Sequence, residues 1–133
     1  MELNKEIDLE PLTHKIIGCA MQVHALLGSG LPEDVYRRAF ALELTFEEMP
    51  FEKELEMPIV YRDEQIGICR ADFVIETKVM VEIISVPVIE DNHRAKTIGC
   101  LQAFNVADGL LVNFGNFSLD FKRVYNKKVV VKK

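Results

Sequence analysis
The chain has 133 residues, 49% of them hydrophobic, and a formal net charge of −5. That length suits one compact domain over residues 1–133, and that composition excludes disordered and fibrous classes. The acidic balance argues against broad non-specific attraction to nucleic acid. No apolar run approaches the ~20 residues that span a bilayer, and Met1 to Glu6 lack the pattern of a secretory signal, so the expectation is a cytoplasmic protein with no membrane partner.

Helical spacing of Leu12, Ile16, Cys19, Val23 and Leu26 predicts a first helix from about Leu9 to Leu27, with Asp8 as its N-cap. Gly28-Ser29-Gly30 ends it, because glycine tolerates a left-handed C-cap. A second helix starts at Pro32-Glu33-Asp34, where acidic groups suit the positive end of the dipole. Its predicted inner face is Val35, Ala39, Leu42 and Phe46, and Pro50 stops it. From Phe51 the period becomes two: Leu55, Met57, Ile59 and Tyr61 alternate with polar residues. Ile66 to Ile75 predicts a second strand, and the nearly all-apolar run Val79 to Val86 a third, buried on both faces. Glu90-Asp91-Asn92 can cap a helix from about His93 to Phe104. Two further strands follow, Gly109 to Phe114 and an edge-like Phe117 to Val124. The order is helix, helix, three strands, helix, two strands, which is an α/β (α+β) domain with a mixed sheet.

Cys19, Cys69 and Cys100 form no C-x-x-C pair and sit among apolar neighbours, as buried reduced thiols do. Basic groups cluster at Arg37-Arg38, Arg94 with Lys96, Lys122-Arg123 and Lys127-Lys128. The last of these, with Lys132-Lys133, suits a solvated tail, and residues 1–8 and 127–133 are expected to be flexible ends.

Chemistry concentrates at Asp72 and Glu82, ten positions apart on consecutive strands. With a two-residue turn at Thr77-Lys78 the two carboxylates point to opposite faces of the sheet. With a three-residue loop, Glu76-Thr77-Lys78, Ile75 lies opposite Val79 and Asp72 opposite Glu82, so both share one face; that register is predicted here. Glu82 interrupts an apolar strand, and a buried carboxylate needs a partner, a hydrogen-bond network or a metal. Taken alone, the pair more often belongs to salt bridges or a solvated face than to a metal site.

Gly30-Leu31-Pro32-Glu33-Asp34-Val35-Tyr36 matches G-x-x-E-x-x-Y, and Val23-His24 precedes it. Phe51-Glu52-Lys53-Glu54, Ile59-Val60-Tyr61, Arg70-Ala71-Asp72-Phe73-Val74, Val81-Glu82, His93-Arg94-Ala95 and Gly109 to Gly115 follow in order. From about Leu12 to Asn126 the chain resembles the GxxExxY family of the PD-(D/E)XK nuclease superfamily. The resemblance implies a restriction-endonuclease-like core, a central mixed sheet flanked by helices, and Mg²⁺ or Mn²⁺ near the hairpin. It implies Asp72, Glu82, the Ile83 backbone carbonyl and Glu33 as metal ligands. It places Tyr36, His93 and Arg94 toward a nucleic-acid substrate.

Two positions depart from the family's pattern. Its Glu-x-Lys is Glu82-Ile83-Ile84 here, and its His-x-Ala-Gln is His93-Arg94-Ala95-Lys96. Isoleucine cannot position or activate a water beside a metal, and Lys96 is the candidate to replace the lost ammonium. Two functions therefore compete: a metal-dependent nucleic-acid phosphodiesterase with an altered centre, and an inactive member kept for binding or homo-oligomeric assembly. The strands Gly109 to Phe114 and Phe117 to Val124 are the candidate pairing surface for the latter.

Overall fold
The structure is a computed structural model that describes residues 10–127. The Asp8 cap, the expected flexible start, and Lys128, Lys132 and Lys133 lie outside the described residues. The elements are α1 (Glu10–Leu27), α2 (Glu33–Phe46), β1 (Phe51–Tyr61), β2 (Glu64–Ile75), β3 (Val79–Ile84), α3 (Asp91–Phe104), β4 (Asp108–Asn113) and β5 (Asp120–Tyr125). They form one five-stranded sheet in the order β1-β2-β3-β4-β5. All neighbours are antiparallel except β3 and β4, which run parallel because α3 crosses between them. The expected mixed sheet with helices is therefore present, in the expected element order.

Helices α1 and α2 cover one face. Ile16, Ile17, Ala20 and Val23 of α1 and Tyr36, Phe40 and Leu44 of α2 pack there on Phe73, Ile75, Val81, Ile83, Leu110, Val112 and Phe114. This corrects the expected inner face of α2: Leu42 and Phe46 are 72% and 79% exposed, and Val35 is exposed as well. Two apolar stripes lie on this helix. The one carrying Tyr36 and Phe40 is buried because aromatic partners await it. Tyr36 stacks on Phe114 with ring centroids 4.6 Å apart, and Phe40 meets Phe73 edge-on at 5.0 Å. Leu26, expected on the buried stripe of α1, is also exposed.

The G-x-x-E-x-x-Y segment is a clasp between α1 and α2. Gly30 has φ +102°, which only glycine adopts without strain. The Tyr36 hydroxyl donates to the Gly28 carbonyl and accepts from Leu31 N at 3.1 Å. That ties the interhelical loop down and sets where α2 begins, and with it the direction of Glu33.

Helix α3 alone covers the other face, over a smaller cluster of Ala71, Val74, Met80, Cys100, Leu101 and Val124. A Cβ on Gly109 would stand 3.0 Å from both Leu101 and Val124, so this glycine lets α3 approach β4 closely. β4 is paired on both sides, so it offers no free edge for association, contrary to expectation; β5 is the edge strand on that side.

Candidate active site
The loop of the β2–β3 hairpin is Glu76-Thr77-Lys78, and Ile75 pairs with Val79, Val74 with Met80 and Phe73 with Val81. This is the three-residue register expected from the sequence. Glu76 and Thr77 take positive φ (54° and 56°), and Lys78 N donates to the Ile75 carbonyl at 2.9 Å, which closes the loop.

Regular pairing stops at Phe73 and Val81. Beyond them the side chain of Asp72 replaces backbone as the partner of β3. Its Oδ2 accepts from Ile83 N at 2.8 Å, while Asp72 N donates to Glu82 Oε2 at 3.3 Å. The two strands splay, and both carboxylates line one cleft of about 1070 Å³ between the start of α2, the β1–β2 hairpin and α3.

Glu33 reaches this point from the first turn of α2, and its Oε2 accepts from Ser85 N at 3.2 Å. The segment after β3 is held for that contact by Asn113. This residue is fully buried, and its Oδ1 accepts from Val86 N and Gly115 N, both at 2.9 Å. A Cβ on Gly115 would lie 2.4 Å from Val86 N and O, so glycine is required where the two segments cross.

Arg37 completes the centre. It stands one turn beyond Glu33 on α2, and its Nη2 donates to Glu33 Oε1 at 2.8 Å. Its Nε lies 3.1 Å from Asp72 Oδ1, and Nη2 reaches the Ile83 carbonyl at 3.5 Å. The contact with Asp72 is an ion pair. Burial works against the Arg37 charge, but Asp72 and Glu33 outweigh it and raise its pKa. Glu82 behaves in the opposite way. Burial, then the Asp72 charge, pushes its carboxyl up to about 8, against smaller lowering effects from the Asp72 backbone bond, Lys96 and Arg37.

The other expected site residues separate. Lys96 is exposed on α3 and lines the cleft, and Ile84 forms part of its wall. His93 lines it too, but its Nδ1 accepts from Glu90 N at 2.8 Å in a capping box at the start of α3. Arg94 is exposed and does not line the cleft. Tyr36 is fully buried, which corrects its expected contact with substrate: it serves the interhelical clasp instead. Cys69 and Cys100, distant in sequence, both line the cleft wall; the Cys100 thiol donates to the Arg70 carbonyl at 3.9 Å, and burial pushes it up to about 12.

Arg37 and Asn113 are the site residues that sequence reasoning missed. The signal for Arg37 was its i, i+4 spacing from Glu33, which puts both on one side of α2. Asn113 gave only its place at the end of an apolar strand.

A mixed sheet between helices, with a carboxylate pair where a hairpin splays, defines a protein of restriction-endonuclease-like fold. Residues 10–124 match the PD-(D/E)XK nuclease superfamily, and the chain belongs to it. The crystal structure of SSO0001 is similar in fold, with a TM-score of 0.56 and 19% identity over 89% of this chain. This chain spans 59% of the length of that one. Among curated proteins there is no match.

Nucleases of this superfamily generally use divalent metals. The oxygens of Asp72, Glu82, Glu33 and Ile83 are the donor class a hard cation prefers. Their arrangement does not fit one. The Arg37 guanidinium contacts three of those four groups, and no set of three His, Cys, Asp or Glu among the described residues is placed to hold a metal ion.

Proposed function
We propose that this chain is a nuclease-fold protein whose hydrolytic centre is retired and whose cleft serves to bind nucleic acid. The observation that carries the reading is Ile84. It stands two residues beyond Glu82 on the same face of β3, at the cleft wall, where the superfamily's Glu-x-Lys pattern has its ammonium. An aliphatic side chain there can neither orient a water nor offset charge on a phosphate. Superfamily membership supports nucleic acid as the ligand class, and Lys96 adds a cationic group at the cleft, where Arg70 is paired with Glu56 at 2.9 Å. The clasp built on Gly30 and Tyr36, with Glu33 between them, favours the GxxExxY branch of the superfamily. A cytoplasmic setting and a single domain complete the reading.

Lys96 favours a second reading. It faces the cleft and its charge acts on Glu82, so a hydrolase using a lysine from α3 is the competing function.

Incubation with single- and double-stranded DNA and RNA in Mg²⁺ or Mn²⁺ separates the two. The expected result is salt-sensitive binding by fluorescence anisotropy with no cleavage. Cleavage that EDTA stops and that Asp72→Ala or Lys96→Met abolishes would establish the hydrolase instead.

A further inference from the structure
The centre of the cleft already holds a cation. We propose that Arg37 is its resident counter-ion, filling the space among Glu33, Asp72 and the Ile83 carbonyl, so that the wild-type protein takes up no divalent ion there. This deepens the reading of a retired centre and rests on it.

Three features support the assignment. The first is geometry. A guanidinium is a flat fork of donors, and here one fork meets a carboxylate on its own helix at 2.8 Å, a carboxylate on β2 at 3.1 Å and a carbonyl on β3 at 3.5 Å. Those oxygens come from three separate elements, and Arg37 is the group that satisfies them together. A magnesium ion would need the same oxygens at about 2.0–2.1 Å in near-octahedral array, which leaves no room for a guanidinium among them.

The second is permanence. Arginine stays protonated at any pH at which the protein is folded, so its charge cannot be withdrawn to admit a second cation. A lysine in the same place could lose its proton when a divalent ion approached, and an arginine cannot.

The third is anchoring. Glu33 fixes Arg37 along α2, Ser85 N fixes Glu33, and Asn113 fixes the backbone after Ser85. The Asp72 carboxylate is in turn held by Ile83 N. Both oxygens of Glu33 and both of Asp72 therefore have a partner within the chain. Displacing Arg37 would leave Asp72, the less exposed of its two acidic partners, without a counter-charge.

Isothermal titration with Mn²⁺ tests the proposal on the full chain. The wild type is expected to show no binding, and Arg37→Met, which keeps the length and apolar stem but not the charge, to bind at least about tenfold tighter than the wild-type limit. Adding Asp72→Asn to that variant should remove the gained binding. Wild-type Mn²⁺ binding that disappears in Asp72→Asn would overturn the proposal, as would a folded Arg37→Met protein that binds none. If Arg37→Met does not fold, melting of the wild type decides. An unchanged Tm between EDTA and Mn²⁺ supports the proposal, and a rise in Mn²⁺ that Asp72→Asn lacks overturns it. Mn²⁺ binding without cleavage sinks this inference and leaves the retired-centre reading standing; cleavage without wild-type Mn²⁺ binding at Asp72 does the reverse.

Discussion

The two faces of the sheet are built for different work. Under α1 and α2 lies a continuous core in which aromatic rings from distant segments meet, and nearly every side chain is sealed from water. Under α3 the buried cluster is smaller, and the rest of that face opens into the cleft that holds Glu82, Ile84 and Lys96. Arg37 belongs to both. It grows from the same helix as Tyr36 and Phe40, beside their buried stripe, and its head reaches the carboxylates where β2 and β3 separate. The contrast separates two tasks: the core under α1 and α2 does not include the carboxylates of the cleft.

The largest expected effect that sharpens this contrast comes from the sealed face. Phe40→Ala should cost about 3–5 kcal/mol in urea unfolding, since the ring is fully buried against Phe73. Ile84→Ala, on the cleft wall, should cost less than about 1.5 kcal/mol, in the range of minor trims to partly exposed side chains. Equal costs would mean the cleft wall is as tightly packed as the core. Tyr36→Phe comes next: it keeps the stack on Phe114 but loses the bonds to Gly28 and Leu31, for about 1–2 kcal/mol and faster proteolysis of the loop between α1 and α2.

The cleft face should show itself in pH dependence. The folded-state pKa of Glu82 is raised from 4.5 to about 8, so between those values the native protein holds a proton that the unfolded chain releases. The contribution of this group to stability is therefore fully present below about 4.5 and is lost as pH rises through about 8. Glu82→Gln should flatten that part of the pH–stability profile, and an unchanged profile would show that Glu82 titrates normally. Lys96→Met should give the smallest effect. An exposed lysine changes stability by no more than about 0.5 kcal/mol, and its removal should move the Glu82 titration further upward because its charge lowers it.

Local chemistry made much of this legible in the sequence. The hairpin register followed from loop length and the two-residue period, so the convergence of Asp72 and Glu82 could be placed in advance. The loss of the lysine at Ile84 was equally plain. What escaped was set by contacts across the chain. The buried side of α2 was misjudged because two apolar stripes compete on one helix, and only Phe73 and Phe114, brought in by the sheet, decide between them. Arg37 reads from the sequence as one of a basic pair and not as part of the site, since its carbonyl partner Ile83 is 46 positions away. Tyr36 carried a motif position that looked functional, and the structure gives it to the loop.

Anomalous scattering from crystals of the wild-type protein soaked in Mn²⁺ would test the centre most directly. The predicted map shows no manganese peak among Glu33, Asp72, Glu82 and the Ile83 carbonyl, with the Arg37 guanidinium in density between them. A manganese peak at that position, with Arg37 turned away, would contradict the retired, arginine-filled centre and restore the metal-dependent nuclease.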